Sequence, residues 1–433
     1  MEKLFLCTYL TVLKVQIEMF RKLLTFDEAK HVIQQHFKPK PLGVEIIPLL
    51  DAYNRILAEK VTATLDIPPF NRSTVDGYAV KAEDTFGADE NKPVKLQICG
   101  TVNVGELPKI TVADGGSAEI VTGAPVPDGA DAVVMLEHTE RNGDDLFVYS
   151  AVSNDENIMK LGADIRKGET ILKKGQSLGS REIGVLAALG IIKVKVYAVP
   201  RVAVLSTGAE ITEPGKNLSS GKIYDINAYS LSAAVQESGG KPIYLGVFPD
   251  DMAELQKVLK QALSSADVII TSGGVSVGPK DLMPKTLDSL GKPGVIICGI
   301  AIKPGKPTTA ALINEKLIFS LPGHPASALL IFHLFVRSII QEIAGIETSR
   351  SLMIKAVTSM RLFPAKGRRT FIMVKLKREE SCRLIAEPVA TGLSGAITTL
   401  AKADGYVEIV ENQQFIDANE EVTVHLFKSI EQV

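Results

Sequence analysis

The stretch VIITSGGVSVG, residues Val268–Gly278, joins an apolar β-branched run to a loop of glycine and hydroxyl residues. Two similar runs lie on either side of it in the chain, Val202–Glu210 (VAVLSTGAE) and Leu317–Pro325 (LIFSLPGHP). Helical spacing appears between them, at Ala228–Glu237 and Met252–Leu263. Strands that alternate with helices in this way predict a doubly wound α/β sheet with helices on both faces.

The residues that follow these three strands are candidates for ligand binding, because the carboxyl ends of parallel strands share one edge of an α/β sheet. Glycines let backbone N–H groups approach an anion, and a helix N-terminus adds partial positive charge. A single loop of this kind is typical of a tight turn, whereas three loops on one edge favour a phosphate site. The candidate residues are Ser206, Thr207, Gly208, Ser272, Gly273, Gly274, Ser276, Pro322 and Gly323.

Charged residues near the same edge add a second signal. Lys303 and Lys306, in the loop IKPGKPT, suit a phosphate or another oxyanion, although a solvated turn explains this loop equally well when it is taken alone. Glu210, Asp250 and Asp281 each follow a predicted strand or its loop. A carboxylate about 6 Å from a phosphate repels it by about 3 kcal/mol at an effective dielectric of about 20. Oxygen ligands without a His/Cys cluster therefore predict Mg²⁺ between them, and metal-assisted attack on a phosphoanhydride.

The chain on both sides of this sheet domain has a different texture. Thr25–His36 has helical spacing, and a short strand and then a helix at Ala52–Ala58 follow it. Between Asp66 and Ile165 short β-rich runs alternate with Gly, Pro and Asp turns, which predicts a small all-β unit. Beyond Ser351 the chain is β-rich again and predicts a barrel or a sandwich.

The composition excludes some classes of protein. The 433 residues carry 48 lysines and arginines against 50 aspartates and glutamates, a formal net charge of −2, whereas dedicated nucleic-acid binders are usually basic. Aromatic residues make up 6% and tryptophan is absent, which argues against a stacking platform for single strands. Four widely spaced cysteines form no zinc or redox motif and fit a reducing cytoplasm.

The hydrophobic N-terminus is a poor membrane anchor. Leu4–Ile17 is too short to span a bilayer, Lys14 interrupts it, and Glu18 stands where a signal peptide would be cleaved. For residues 1–23 we favour a poorly ordered extension, while a signal peptide and a translation start at Met19 stay open. We expect no other stretch to be long and apolar enough for a membrane helix.

A serine hydrolase is a competing interpretation. Gly274–Gly278 matches the G-x-S-x-G nucleophile elbow, with Asp281 and His324 downstream in hydrolase order. An elbow requires a helix that begins directly after the serine, and a Gly-Pro pair follows here, so a hydrolase built on Ser276 is disfavoured. The sequence contains neither a G-x-G-x-x-G nor a Walker A motif, which weakens nicotinamide and ATPase interpretations.

Six motifs occur in a fixed order between about Leu24 and the C-terminus. They are Arg72–Ala79 (RSTVDGYA), Thr122–Pro127 (TGAPVP), Ser206–Glu210 (STGAE), Thr271–Gly278 (TSGGVSVG), Ala301–Pro307 (AIKPGKP) and Leu321–Pro325 (LPGHP). Together they resemble the molybdopterin molybdenumtransferase family, the MoeA type that also forms the E domain of gephyrin. The resemblance implies four domains: a discontinuous, elongated linker domain of residues 24–65 and 166–199, a β-rich domain of residues 66–165, a central three-layer α/β/α molybdopterin-binding domain of residues 200–346, and a C-terminal β-barrel domain of residues 347–433. Residues 1–23 are an extension that the resemblance does not cover.

The resemblance also implies a reaction, the insertion of molybdate or tungstate into the dithiolene of adenylylated molybdopterin with release of AMP. It implies a homodimer in which the β-rich domain of one chain closes over the sheet domain of the other. We expect a Mg²⁺-dependent cytoplasmic transferase that acts on neither nucleic acid nor membranes, with a molybdopterin adenylyltransferase as a further partner. A non-catalytic carrier or scaffold for the finished cofactor is the alternative.

Roles for individual residues follow from the same resemblance. The residues that would form the site are Asp76, Thr122 and Asp164 from the β-rich domain; Glu210, Asp250 and Asp281 around metal, water or molybdate; Ser272, Gly273, Gly274 and Ser276 around the phosphates; Lys303 and Lys306 on the oxyanions; and Arg368 and Ser394 from the C-terminal domain. The five carboxylates of this set would be the catalytic groups.

Overall fold

The structure is a computed structural model, and it describes residues 23–274, 282–347, 352–379, 383–389 and 398–427, apart from the side chain of Leu400. The chain forms two compact units, one of residues 46–195 and one of the residues before and after them. The predictions made for Ser276, Asp281, Ser394 and residues 1–22 lie outside the described residues.

Helix α1 (Phe26–His36) begins at a capping box. The Thr25 hydroxyl accepts the N–H of Glu28 at 3.2 Å, and the Glu28 carboxylate accepts the N–H of Thr25 at 2.8 Å. In chain order, the helices and strands that follow it as far as residue 197 are β1 (Val44–Pro48), β2 (Val61–Thr62), β3 (Arg72–Ser73), β4 (Gly77–Val80), β5 (Val94–Val102), β6 (Gly116–Ile120), β7 (Ala132–Met135), β8 (Thr139–Asn142), β9 (Asp145–Val148), β10 (Ile158–Met159), β11 (Thr170–Leu172), α2 (Ser180–Ala188) and β12 (Lys193–Tyr197).

The unit of residues 46–195 is built on a six-stranded sheet in the order β7-β4-β6-β5-β9-β8. Strands β5 and β6 run parallel, and the other neighbours run antiparallel. Apolar side chains pack on both faces, with Tyr78, Val134 and Leu146 on one and Ala79 and Val133 on the other. The predicted all-β texture of this part of the chain is therefore confirmed.

The second unit resumes at residue 196, within β12. Its helices and strands are β13 (Arg201–Thr207), β14 (Ile211–Thr212), β15 (Ile223–Tyr224), α3 (Asn227–Glu237), β16 (Lys241–Phe248), α4 (Met252–Ser265), β17 (Val268–Ser272), α5 (Leu282–Leu290), β18 (Pro293–Cys298), β19 (Ile302–Lys303), β20 (Thr309–Ile313), β21 (Lys316–Leu321), α6 (Pro325–Ile343), β22 (Met353–Thr358), β23 (Arg369–Arg378), β24 (Leu384–Pro388), α7 (Thr398–Lys402), β25 (Gly405–Ile409) and β26 (Glu421–Leu426).

A three-layer α/β/α domain forms the centre of this unit, as predicted. Its sheet has the order β16-β13-β17-β21-β20-β18, with β20 antiparallel to both of its neighbours. On one face the sheet packs against α1, α3 and α6, which bury Phe26, Leu231 and Phe332. On the other face it packs against α4 and α5, which bury Leu259 and Met283.

The C-terminal region is a closed barrel rather than a sandwich. Five strands follow one another as β23-β24-β22-β26-β25, and β25 pairs back with β23. Val374, Leu376, Val407 and Val424 belong to its core. Strand β19, which ends at Lys303, pairs with β23 and so joins the predicted lysine loop to the barrel.

The predicted helix at Ala52–Ala58 is wrong. These residues form a turn and a β-bridge between Ile56 and Ser177. Asn54 has a left-handed backbone with φ of 59°, which interrupts helical geometry, and the N–H of Leu57 donates to a carbonyl on a distant segment. The apolar residues of this stretch are buried by long-range pairing rather than by a helical face.

The expectation about membrane helices was wrong for α6. Within the described residues, α6 is the one helix that is long and apolar enough to cross a membrane, judged by length and composition alone. Of its tested window, 61% is buried inside the protein, as expected for a core helix.

Candidate functional site

A cavity of about 940 Å³ opens at the carboxyl ends of β13, β17 and β21. Ser206 and Thr207 end β13, Ser272 ends β17, and Gly323 follows β21. The structure thus brings the three predicted loops together around one space. The predicted residues in its wall are Ser206, Thr207, Glu210, Ser272, Gly273, Pro322 and Gly323.

Residues 208–226 add a second, partly apolar wall that sequence reasoning missed. Leu218, Ile223 and Tyr224 face the cavity there, and the short parallel pair β14–β15 holds the segment together. The Tyr224 hydroxyl donates to the Lys216 carbonyl at 3.1 Å, which fixes the ring. Such a surface suits the face of a planar heterocycle.

Two glycines allow the ends of β13 and β17 to meet. Gly273 has φ of 91°, and a Cβ on it would stand 2.2 Å from the Thr207 carbonyl oxygen. A Cβ on Gly274 would stand 2.6 Å from Thr207 Oγ1 and 3.4 Å from Asp250 Oδ1. The absence of side chains here therefore brings the Asp250 carboxylate close to the end of β17.

Asp225 and Asn227, at the start of α3, organise the hydroxyl groups in the wall. Asp225 Oδ1 accepts the Ser206 hydroxyl at 2.9 Å and the N–H of Ala228 at 3.1 Å. Asn227 Nδ2 donates to Ser272 Oγ and to the Gly323 carbonyl, both at 2.7 Å. These two residues tie all three loops to one helix end.

Among the described residues, two buried polar atoms in the wall have no hydrogen-bond partner, Thr207 Oγ1 and Asn227 Oδ1. The residues that carry these atoms are 2% and 7% exposed and line the cavity. Buried polar groups in native proteins are nearly always paired, which indicates a place for a ligand.

The structure describes two of the three carboxylates predicted to hold a metal, Glu210 and Asp250. Glu210 is exposed in the cavity wall, and its Oε1 lies 2.8 Å from where a Cβ of Gly208 would stand. Asp250 is exposed just beyond β16, the neighbour of β13. No group of three His, Cys, Asp or Glu side chains suited to a metal occurs in the described parts of the chain, which do not include Asp281.

The predicted cationic residues lie apart from the cavity wall as the structure describes it. Lys303 is exposed and Lys306 half-buried in a loop whose Pro307 does line the cavity. Arg368 is half-buried before β23, and its carbonyl accepts the Thr370 hydroxyl at 3.1 Å. Their contact with an anion stays a prediction.

In the unit of residues 46–195 the structure brings two predicted residues into contact. Asp76 Oδ1 accepts the N–H of Thr122 at 2.7 Å and its hydroxyl at 2.8 Å. The backbone hydrogen bond first, and then the hydroxyl, lower the pKa of Asp76, so it is an anion at neutral pH. Gly77, whose Cβ would stand 1.9 Å from the Val134 carbonyl oxygen, allows β4 to hold this position. Asp164 is exposed in a turn of the same unit.

Comparison with known proteins gives matches along nearly the whole described chain. The MoeA N-terminal region (domain I and II) matches residues 24–190. The family model described as a probable molybdopterin binding domain matches residues 203–342, and the MoeA C-terminal region (domain IV) matches residues 355–427.

Whole-length relatives agree with these matches. The molybdopterin molybdenumtransferase of Haemophilus influenzae is 33% identical over 94% of this chain and 100% of its own length, and that of Bacillus subtilis is 34% identical over 91% and 92%. Two crystal structures of the molybdopterin biosynthesis MoeA protein from Pyrococcus horikoshii superpose with TM-scores of 0.81 and 0.77, at 41% and 32% identity, over 94% of this chain and 100% of theirs. The chain therefore belongs to the molybdopterin molybdenumtransferase (MoeA) family of molybdenum cofactor biosynthesis.

Proposed function

We propose that this enzyme inserts molybdate or tungstate into adenylylated molybdopterin and releases AMP, with Mg²⁺ as its metal. Family membership makes the chain a transferase of molybdenum cofactor biosynthesis. One observation carries the finer proposal. Loops from three parallel strands meet around one cavity, two of them with hydroxyl groups, and Glu210 lies in its wall with Asp250 beside Gly274.

The charges at this edge support a phosphoanhydride substrate. Ser272 and Thr207 offer hydroxyl groups to a phosphate, and the partly apolar wall at Tyr224 suits a ring system. Lys303 and Lys306 supply positive charge on a neighbouring loop, which suits molybdate and the transferring phosphate. The ligand therefore combines a heterocycle with several negative charges.

Magnesium fits the donor chemistry of the same edge. Glu210 and Asp250 are hard oxygen donors, and they follow adjacent parallel strands, since Thr207 pairs with Phe248. These two carboxylates, with Asp281 as the third predicted ligand, would hold the ion. When bound, Mg²⁺ would neutralise phosphate charge and polarise the phosphoryl oxygen.

The test is a turnover assay with a matched pair of variants. Purified protein receives adenylylated molybdopterin, Mg²⁺ and molybdate or tungstate, and AMP release and metal in the pterin are measured. We expect Asp250→Asn to lower turnover by at least about 100-fold, because it removes a metal ligand. Asp251→Asn is the control, because Asp251 caps α4 through the N–H groups of Ala253 and Glu254 and asparagine caps equally well. Equal turnover in both variants would remove Asp250 from the site.

The carrier interpretation predicts a different outcome in the same assay. A carrier would bind molybdopterin tightly and release no AMP, with or without Mg²⁺. AMP release that requires both oxyanion and Mg²⁺ supports the enzyme. The rates with the two oxyanions also establish which of them is preferred.

We also propose a homodimer in which Asp76 of one chain serves the cavity of the other. Leu50 and Ile192 are 92% and 77% exposed in the unit of residues 46–195, and such exposure of large apolar side chains supports a protein contact. Mixing an Asp76→Asn chain with a Glu210→Gln chain tests the arrangement. If the two residues act across chains, each mixed dimer regains one of its two sites, so a randomly reassorted mixture shows about a quarter of wild-type turnover. If they act within one chain, every site carries a substitution and turnover stays absent.

The location and supply of the substrate follow from its chemistry. An adenylylated pterin must come from an enzyme that adenylates molybdopterin, so we propose a molybdopterin adenylyltransferase as the partner that delivers it. We place both in the cytoplasm, because the chain has widely spaced cysteines without a disulfide pattern. Co-purification from cells grown with molybdate tests the partnership.

A further inference from the structure

We infer that Asp225 and Asn227 fix the polarity of the cavity, so that the ligand places an N–H-bearing heterocyclic edge at Ser206 and its phosphate at Ser272. The inference rests on the proposed function, which supplies a ligand with both a pterin and a phosphate. It assigns these two residues a positioning role, because each acts through a hydroxyl group in the wall.

Asp225 makes the Ser206 end of the cavity an acceptor of hydrogen bonds from the ligand. The Ser206 hydroxyl has one proton, and it donates that proton to Asp225 Oδ1 at 2.9 Å, so the Ser206 oxygen faces a ligand as an acceptor. Asp225 is itself fixed, because its Oδ1 also accepts the N–H of Ala228 at 3.1 Å. A group that pairs with Ser206 must therefore donate, as a pterin N–H or amino group does.

Tyr244 keeps Asp225 in the accepting role. Its hydroxyl lies 3.5 Å from Asp225 Oδ2. Burial first, and then the charge of Asp225, raise the pKa of Tyr244, so the phenol keeps its proton at neutral pH. Each oxygen of the Asp225 carboxylate thus has a hydroxyl donor nearby.

Asn227 makes the Ser272 end of the cavity a donor of hydrogen bonds to the ligand. The amide group that faces the Gly323 carbonyl must be the NH₂, since a carbonyl oxygen only accepts. The same Nδ2 donates to Ser272 Oγ at 2.7 Å, which leaves the Ser272 proton for a ligand acceptor. Phosphate oxygens are acceptors, and Gly273 allows close approach of the backbone beside Ser272.

The unpartnered atoms agree with a heterocycle rather than with two anions. Asn227 Oδ1 is buried and receives no hydrogen bond from the residues that the structure describes, so a second anionic group beside it would be repelled. A neutral pterin presents several N–H groups, which can satisfy such an acceptor. Thr207 Oγ1, which is also buried and unpaired within the described part of the chain, can donate or accept.

The test measures two ligand fragments separately. Binding of 6-hydroxymethylpterin and of inorganic phosphate is titrated by calorimetry against wild-type protein, Ser206→Ala, Ser272→Ala and Thr271→Val. We expect Ser206→Ala to weaken pterin binding about tenfold and phosphate binding less than about twofold, and Ser272→Ala to show the reverse. Thr271→Val is the control, because Thr271 is fully buried on the same strand and its side chain points to the opposite face of the sheet.

A double substitution tests the positioning role. Asp225→Ala should weaken pterin binding as Ser206→Ala does, and the double variant should bind no more weakly than Ser206→Ala alone, because Asp225 acts through that hydroxyl. Additive losses would give Asp225 a merely structural role and overturn the inference. Equal losses of both fragments in either serine variant, or no saturable pterin binding to wild-type protein, would also overturn it.

The outcome is separable from that of the proposed function, which is tested by AMP release from wild-type protein. Turnover without the expected fragment selectivity overturns the assigned polarity and leaves the function in place. The expected selectivity without turnover overturns the function and leaves the cavity as a polar-ended pterin site.

Discussion

At the scale of single residues, Gly273 has two separate reasons to be glycine. Its φ of 91° disfavours any side chain, and a Cβ would also collide with the Thr207 carbonyl oxygen 2.2 Å away. Gly367 shares only the first reason, since it has φ of 67° and no atom within 4 Å of its Cβ position. This pair separates backbone strain from steric overlap.

We therefore predict that Gly273→Ala costs at least about 3 kcal/mol of unfolding free energy and that Gly367→Ala costs about 1 kcal/mol. Thermal unfolding of both variants under one set of conditions measures the difference. Similar losses in the two variants would mean that β13 and β17 separate easily, and the close packing of the cavity edge would then be unsupported.

The sequence predicts which strand ends share an edge where backbone direction alone decides position, while the binding roles of these residues stay predictions. Ser206 and Ser272 each end a parallel strand, so the shared edge followed from the α/β pattern. Asp225 and Asn227 could not be found in the same way. Their partners lie 19, 45 and 96 residues away in sequence, and only the folded chain brings them together.

At the scale of elements, α6 contains a π-helical turn, Phe332–Val336, that places a half-buried histidine, His333, beside Phe427 at the end of the barrel strands. The His333 ring lies 4.8 Å from the Phe427 ring, and its Nδ1 is buried with no hydrogen-bond partner among the residues described. Burial first, and then the charge of Arg337, lower the pKa of His333 from 6.5 to about 4. The folded state therefore favours the neutral ring.

The stability of this junction should depend on pH accordingly. Above about pH 6.5 His333 is neutral in both the folded and the unfolded state and costs no stability. As the pH falls from 6.5 towards 4, the unfolded state binds a proton that the folded state does not, so the unfolding free energy decreases. We predict that His333→Leu removes roughly 2 kcal/mol of acid destabilisation between pH 7 and pH 4.5, because the half-buried ring loses only part of its hydration on folding. Melting curves over this range measure it, with the exposed His31→Gln as control; parallel curves for wild type and His333→Leu would refute it.

Prediction of elements from sequence depended on whether local pattern and long-range pairing agreed. Helix α1 was predictable because its capping box and apolar spacing lie within the same residues. Strand β20 was missed because it is buried throughout between β18 and β21 and shows no alternation. The helix predicted at residues 52–58 was wrong because the apolar spacing there looks helical, whereas pairing with a distant segment determines the backbone.

At the scale of the whole molecule, Arg369 joins the beginning of the described chain to the barrel. Its guanidinium pairs with both oxygens of Asp27, 342 residues away, at 3.0 and 2.7 Å, and with Glu408 and Glu411 at 3.2 and 3.1 Å. It also lies 5.0 Å from the centre of the Phe26 ring. The Arg369 side chain is only 12% exposed, whereas Asp27 is 70% exposed.

This asymmetry predicts unequal effects of removing either partner. Arg369→Leu leaves three carboxylates without their shared cation, and we expect a loss of about 3 kcal/mol or more. Asp27→Asn removes an exposed partner and should cost less than about 1 kcal/mol. Chemical denaturation of both variants measures these losses. An Arg369→Leu protein with the unfolding free energy of the wild type would show that the ion pairs of Arg369 do not stabilise the fold.

The proposed homodimer can be tested by substituting exposed leucines. Leu50 follows β1 and is 92% exposed, so its replacement by glutamate removes no packing within the chain. We predict that Leu50→Glu sediments as a monomer and loses turnover, because a charge buried at a protein contact is costly and the site then lacks the partner's Asp76. Leu107→Glu is the control, since Leu107 is 80% exposed elsewhere in the same unit and should change neither property. A monomeric but active Leu50→Glu protein would show that one chain suffices for catalysis, and a dimeric one would place the contact on another surface.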